Sequence, residues 1–302
     1  MGLSNAIQLL YGIPGVLIYF VVIYAMLKMR KIIGKSFLEI YVMTAATNIA
    51  TWANSWLSLR LRTEPSFFFI YEWIAETYIF RNTLNFLVIH FYAAQNTCVL
   101  LMTFDRFAVI HSVTSDSEWW SKSYLFVAVT SQIVCLILDL ATTLPLDGVY
   151  RYNRELNFYQ VIYDTRVNYN LMLTTKVQLV FGVAVFLSCS ILNILSLRKL
   201  TLIRRTAAVA KEISMFLISF CIFLAQVLNL AIVVSYNFIF VFDQSSGSPI
   251  RSFLFIVTEV MAYTSDAFSI GPAFYTLLLP GPVRRFIVHK FKTIYKSFYD
   301  KN

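Results

Sequence analysis

An acidic and a basic residue stand side by side at the end of a long apolar run: Asp105 and Arg106, within FDRFAVIH. Such a pair can form a charge-assisted hydrogen bond, and a conformational change can make or break that bond. A third charge, Glu212 at the start of a later apolar run, could also hold Arg106. The simpler interpretation is an anchor, because an arginine at the end of a membrane helix can extend its charged group to the lipid–water interface.

A second group of polar residues lies inside the apolar runs. Glu259, Tyr263 and Asp266 are spaced by four and three residues, which places them on one face of a helix. Ionisable residues at membrane depth are costly and usually functional, so we expect Glu259 and Asp266 to face the interior of a helix bundle. Lys176, Arg81 and His90 are candidate partners for Glu259. The full candidate ligand-binding set is His90, Asp139, Gln226, Glu259, Tyr263 and Asp266.

The alternative for these polar residues is a set of hydrogen bonds between packed helices, with no role in ligand binding. Enzymatic chemistry is not indicated. The three histidines fall at different depths, so they do not form a metal site, and no G-x-S-x-G motif occurs. Residues 253–278 contain no lysine that could hold retinal as a Schiff base. We therefore predict no catalysis, no metal and no cofactor.

The elements that carry these residues are apolar segments of membrane length. Of the 302 residues, 58% are hydrophobic and only 14% are charged, and the mean hydropathy is +0.67. Soluble domains usually carry about a quarter charged residues. Blocks of about 20 residues can cross the hydrocarbon core as helices. We predict seven spans, at 6–27, 37–59, 84–110, 124–145, 175–197, 213–242 and 253–278.

The basic residues predict the orientation of the seven spans. Of the 25 lysines and arginines, 17 fall in segments on one side of the predicted membrane and 8 on the other. The side with the excess is expected to be cytoplasmic, which places the amino terminus outside. The first apolar block has no preceding charged segment and is long enough to span, so we interpret it as a helix and not as a signal peptide. The net charge of +9 indicates an attraction to anionic lipid, not to nucleic acid.

The segments outside the spans add three expectations. Residues 283–298 repeat apolar side chains at helical spacing among basic ones, which predicts an amphipathic helix at the membrane interface. The stretch NFYQVIYD in the second outer loop alternates loosely, which favours a hairpin over the outer end of the bundle. The four cysteines, at positions 98, 135, 189 and 221, all fall inside apolar blocks, so we expect no disulfide and treat residues 1–302 as one domain.

Two motifs resemble those of the seven-helix G-protein-coupled receptors. The third span ends in Asp105-Arg106-Phe107, similar to the Asp-Arg-Tyr of those receptors, and GPAFY in the seventh span resembles their Asn-Pro-x-x-Tyr through Pro272 and Tyr275. This resemblance implies that Arg106 is held by acids at rest and is released on activation to face a heterotrimeric G protein. The implied set of activation residues is Asp105, Arg106, Phe107, Glu212, Pro272 and Tyr275.

The sequence also departs from the rhodopsin-like receptors. Span 1 has no asparagine, span 2 no aspartate and span 6 no Trp-x-Pro motif. Three stretches, IQLLYGIPGVLIYF, SFLEIYVMTAATNIATWANSW and LLMTFDRFAVI, resemble instead the nematode serpentine chemoreceptors, most closely the gamma class (Srg). That family implies a receptor in the plasma membrane of a sensory cilium that detects a small environmental or pheromone molecule. A multi-span transporter or channel is the alternative, although no repeated three-helix unit is present.

Overall fold

The computed structural model describes residues 2–112, 119–146, 148–154, 158–163, 168–202, 207–243 and 250–299. Within these ranges only the backbone is described at 160, 162–163, 168–172, 207–211, 236–243, 250–259, 294–295 and 297–299. The helices are α1 (Leu3–Lys28), α2 (Arg30–Ile33), α3 (Lys35–Ser55), α4 (Phe68–Glu76), α5 (Tyr78–Ser112), α6 (Trp119–Thr143), α7 (Asn168–Leu202), α8 (Ala207–Asp243), α9 (Ile250–Ser269), α10 (Gly271–Leu278) and α11 (Pro282–Tyr299). One antiparallel hairpin joins β1 (Gly148–Asn153) to β2 (Phe158–Tyr163).

The seven predicted spans correspond to α1, α3, α5, α6, α7, α8 and the pair α9–α10. Five helices in the described part of the chain are long and apolar enough to cross a membrane: α1, α5, α6, α7 and α8. The long α5 contacts α3, α6, α7 and α8, so it lies at the centre of the bundle. Several helices run beyond the predicted blocks because an established helix extends readily into polar flanks.

The second span ends differently from the prediction, which stopped at residue 59 and left Arg60 among the outer-loop charges. The chain instead continues from α3 through a π-helical turn, Trp56–Arg60, and a 3₁₀ turn, Leu61–Thr63. A π turn widens the helix by one residue and rotates the residues after it about the helix axis. The assignment of Arg60 to a loop is therefore wrong: its side chain is only 2% exposed.

The first two spans approach each other closely at Gly12. A Cβ atom built there would lie 2.6 Å from Cζ2 of Trp52 in α3, which is closer than packed carbon atoms allow. Gly12→Ala should therefore destabilise the protein by about 1–3 kcal/mol through overpacking. The melting temperature of the purified protein in detergent measures this effect. Adding Trp52→Phe, which removes the crowded part of the indole, should recover much of the loss, and an unchanged melting temperature for Gly12→Ala alone would contradict the packing described.

A cap covers one end of the bundle, where α1 begins. It consists of α4 and the β1–β2 hairpin, held together by aromatic rings of both parts: Phe68, Tyr71, Tyr150, Tyr152 and Tyr159. Tyr71 is fully buried and stacks on Tyr159 at 5.7 Å between ring centroids. The predicted hairpin is present, and residues 158–163 of the predicted stretch form its second strand. We refer to this unit as the aromatic cap.

The seventh span is broken between α9 and α10. Pro272 has no N–H and cannot donate to the carbonyl four residues earlier, which explains the interruption around Ile270. Two tyrosines hold the break in place: the Tyr19 hydroxyl donates to the Ser269 carbonyl at 2.6 Å, and the Tyr41 hydroxyl to the Pro272 carbonyl at 3.3 Å. The seventh span is thus bound to α1 and α3 at its bend.

The predicted C-terminal helix is formed as α11, and its Val283 and Ile287 pack into the main core. The cysteines at positions 98, 135, 189 and 221 lie in α5, α6, α7 and α8 and carry free thiols.

Candidate functional site

At the end of the bundle opposite the cap, Arg106 is enclosed by acids. Its Nε donates to Asp105 Oδ2 at 2.9 Å, and its Nη2 contacts the same oxygen. Its Nη1 donates to Glu212 Oε2 at 2.9 Å, which connects α5 to the start of α8. The arginine side chain is 2% exposed, so the guanidinium does not extend to an interface. The structure therefore brings together three of the residues proposed from the sequence.

Two residues that sequence reasoning missed complete this cluster. The indole Nε1 of Trp120, at the start of α6, donates to Asp105 Oδ1 at 2.8 Å. The ring of Phe37, at the start of α3, lies under the Arg106 guanidinium, 4.5 Å from Cζ to the ring centroid. A cation on an aromatic face is attracted by the ring quadrupole. The ends of α3, α5, α6 and α8 thus meet around one arginine, which we call the Arg106 cluster.

A second buried ion pair lies in the half of the bundle near the cap. Arg60 Nη2 donates to Asp266 Oδ1 at 2.6 Å and to the Ala262 carbonyl at 3.1 Å. The Tyr11 hydroxyl donates to the other oxygen of Asp266 at 2.6 Å. Arg60 also contacts Gln8 through Nε and Ser55 through Nη1. This Arg60–Asp266 pair joins α1, the end of the second span and α9.

The expectation that Asp266 faces the interior is confirmed, because the residue is 1% exposed. Its partner is Arg60, and the sequence analysis named no partner for Asp266. Tyr263, one turn earlier, is 38% exposed and its hydroxyl lies 3.0 Å from Ser4 Oγ of α1. Glu259 lies in α9, but its side chain is outside the described part of the structure.

His90 and Asp139, both in the predicted ligand-binding set, contact each other. His90 Nδ1 lies 2.9 Å from Asp139 Oδ2, which connects α5 to α6, and the imidazole stacks on Phe86. Gln226 of α8 donates from Nε2 to Asn96 Oδ1 of α5 at 2.8 Å. These contacts are hydrogen bonds between helices, as the alternative interpretation of the polar residues expects, and the first of them occupies the carboxylate of Asp139.

Pro272 and Tyr275, two members of the predicted activation set, lie at the break of the seventh span. The Tyr275 hydroxyl donates to the Ala267 carbonyl at 3.2 Å, and the ring folds back over Gly271. A Cβ atom at position 271 would lie 2.6 Å from that hydroxyl, which explains why glycine, and not asparagine, precedes Pro272. Phe107 packs on the His111 ring, with 4.1 Å between the centroids.

A buried polar network connects four of the spans. Asn48 donates to the Tyr19 hydroxyl at 3.0 Å, and Gln95 donates to Asn48 Oδ1 at 2.8 Å and to Ser269 Oγ at 3.0 Å. The four residues come from four spans. Uncharged groups thus connect α1, α3, α5 and α9 at this level.

Comparison with known protein families identifies the chain. Residues 5–287 match the Srg family chemoreceptors, which covers nearly the whole sequence and all seven spans. No curated protein matched the chain closely enough to count as a relative. The match agrees with the seven-helix bundle and with the resemblance noted in the first three spans. The chain therefore belongs to the Srg family of chemoreceptors and is a multi-pass membrane receptor of the serpentine type.

Proposed function

We propose that this receptor binds a small molecule within the helical bundle and activates a heterotrimeric G protein through the Arg106 cluster. The observation that supports this most directly is the bond between Arg106 of α5 and Glu212 of α8. It connects two helices at the end of the bundle opposite the cap, so breaking it would free α8 to move away from α5. A ligand can favour the open arrangement only through a higher affinity for it.

The orientation proposed here places the Arg106 cluster in the cytoplasm and the aromatic cap outside. The excess of basic residues on the Arg106 side supports this arrangement. In the same orientation α11 lies at the inner membrane surface, where its basic residues would meet anionic lipid headgroups. The plasma membrane of a sensory cilium is the location we propose, by analogy with the family. The family is one of chemoreceptors, not of enzymes.

The contacts of the described residues refine the proposed ligand-binding set. Asp266 and Asp139 are bonded to Arg60 and His90, so they organise the bundle around a ligand and do not offer it a free charge. Gln226 is the member of the set best placed to meet a ligand, because it lies between α5 and α8. Tyr263 and Glu259 lie on α9 near the cap, where they could contribute to the ligand's entry.

The test removes one charge from the Arg106 cluster. Glu212→Gln keeps the shape of the side chain and weakens its bond to Arg106 by about 1–2 kcal/mol. Basal G-protein activation should then rise roughly five- to thirty-fold if the active fraction starts small. Nucleotide exchange on a purified G protein, measured without added ligand at equal receptor amounts, gives the readout.

Glu39→Gln is the matched control, because Glu39 lies at the same end of the bundle and bonds to Tyr124 rather than to Arg106. It should leave basal exchange unchanged. Equal basal exchange for Glu212→Gln and the wild type would show that the cluster is a structural contact only.

A further inference from the structure

Two buried polar atoms on facing helices have no hydrogen-bond partner among the described residues: Nδ2 of Asn85 in α5 and Oε1 of Gln226 in α8. Asn85 is 7% exposed and Gln226 1%. A buried polar atom without a partner costs about 1–3 kcal/mol. Twelve buried side-chain atoms among the described residues lack a partner, and the Tyr92 hydroxyl, which lies between these two on the same helix face, is another of them. One of the two is a donor and the other is an acceptor.

A single face of α5 connects the two atoms. Asn85, Tyr92 and Asn96 are separated by seven and four residues, which places them along one stripe of the helix. Asn96 holds Gln226 at the inner end of this stripe. At the outer end, Leu84, the neighbour of Asn85, packs into the aromatic cap. With a rise of about 1.5 Å per residue, the stripe is about 16 Å long from Asn85 to Asn96.

The middle of the stripe is closed by Tyr92. A Cβ atom at Gly182 of α7 would lie 2.6 Å from the Tyr92 hydroxyl and 3.0 Å from Leu230 of α8. The glycine therefore makes room for the tyrosine between α5, α7 and α8. A molecule that lies along the stripe has to turn the Tyr92 ring away from Gly182, which would loosen the contact between α5 and its two neighbours.

The charges of the described residues restrict what this face can accept. Inside the spans, each described buried acid contacts a basic side chain: Asp105 and Glu212 contact Arg106, Asp139 contacts His90, and Asp266 contacts Arg60. The two buried arginines are likewise paired. A charged molecule would therefore lose its hydration without gaining an opposite charge on this face.

We infer that the stripe from Asn85 to Gln226 is the binding site of an elongated, uncharged molecule with a hydrogen-bonding group at each end. Its outer end accepts a hydrogen bond from Asn85 Nδ2, and its inner end donates one to Gln226 Oε1. A hydroxyl can do both, so a chain with terminal hydroxyl groups belongs to this class. That this molecule is the receptor's ligand rests on the proposed function, but the binding itself is tested without a G protein.

The first arm of the test needs no ligand. Asn85→Leu replaces a polar group that lacks a partner by an apolar one of similar size. It should raise the melting temperature of the purified receptor by about 2–4 °C. Asn48→Leu is the matched control, because the amide of Asn48 is bonded on both sides and its loss should lower the melting temperature. A fall for Asn85→Leu as large as that for Asn48→Leu would overturn the inference.

The second arm uses decane-1,10-diol as the probe and decanedioate as its charged counterpart. The diol should raise the melting temperature of the wild type, and the dianion should not. The shift should disappear in Asn85→Leu and in Gln226→Met but remain in Gln132→Leu, which alters an amide on α6 outside the stripe. A shift that is equal in all variants would reflect partition into detergent and would overturn the site, as would no shift with the diol. The outcome of these binding experiments does not affect the test with Glu212→Gln, which measures coupling to the G protein separately.

Discussion

Replacing Asp266 by alanine should destabilise the receptor by about 3–5 kcal/mol, the largest effect we expect from a single substitution in the bundle. Arg60 would keep its charge while losing its only described carboxylate partner, in a place where its side chain is 2% exposed. The Tyr11 hydroxyl would lose its acceptor as well. Since domains are stable by only about 5–15 kcal/mol, such a loss should reduce both the melting temperature and the amount of receptor at the cell surface.

Two controls distinguish the effect of leaving Arg60 without an opposite charge from the general effect of removing a side chain. Asp139→Ala removes an acid from a pair that is more exposed to solvent than the Arg60–Asp266 pair, so it should cost much less. The double variant Arg60→Met with Asp266→Leu removes both charges and should recover most of the stability, because no buried charge remains unpaired. A wild-type melting temperature for Asp266→Ala would show that Arg60 reaches water after all.

The second large effect is expected at Arg106. Arg106→Ala should abolish G-protein activation, including the raised basal exchange of the Glu212→Gln background. In the proposed mechanism the released guanidinium is the group that faces the G protein. The readout is nucleotide exchange by the double variant Arg106→Ala with Glu212→Gln, which should fall to the level of membranes without receptor.

Stability has to be measured beside signalling, because Arg106→Ala alone leaves Asp105 and Glu212 close together without a cation. Two unpaired acids in a buried site repel each other, so the single variant should be less stable than the double one. If Arg106→Ala reaches the surface and the double variant retains the raised exchange, the arginine is not needed for coupling.

The apolar blocks were sufficient to predict the helices of the bundle, and five of the described helices are long and apolar enough to cross a membrane. The short motif around Asp105 was also informative, since the sequence suggested Glu212 as a partner from its place at the start of the sixth span. Arg60 was assigned wrongly for a physical reason. An arginine just after an apolar block normally extends to the interface, and nothing in the residue types signals the π turn that directs it inward.

Other contacts depend on the three-dimensional packing and have no local pattern in the sequence. The order of residues cannot show that His90 meets Asp139 rather than Glu259, because each helix can rotate about its own axis until the packing fixes it. Trp120 and Phe37 were missed in the Arg106 cluster because aromatic residues near span ends are common at membrane interfaces. The two tryptophans at the start of α6 were the available signal, and only the contact with Asp105 gives one of them a role.

The way the aromatic cap is held together affects the redox conditions under which the receptor can fold. Its two parts are joined by ring packing, and every cysteine of the chain lies in a helix of the bundle with a free thiol. Reducing agents therefore have no bond to cut in the cap, and oxidising folding enzymes have none to form. The cap can reach its final shape in a reducing lysate as readily as in the secretory pathway, which makes cell-free synthesis into lipid discs a direct route to this receptor.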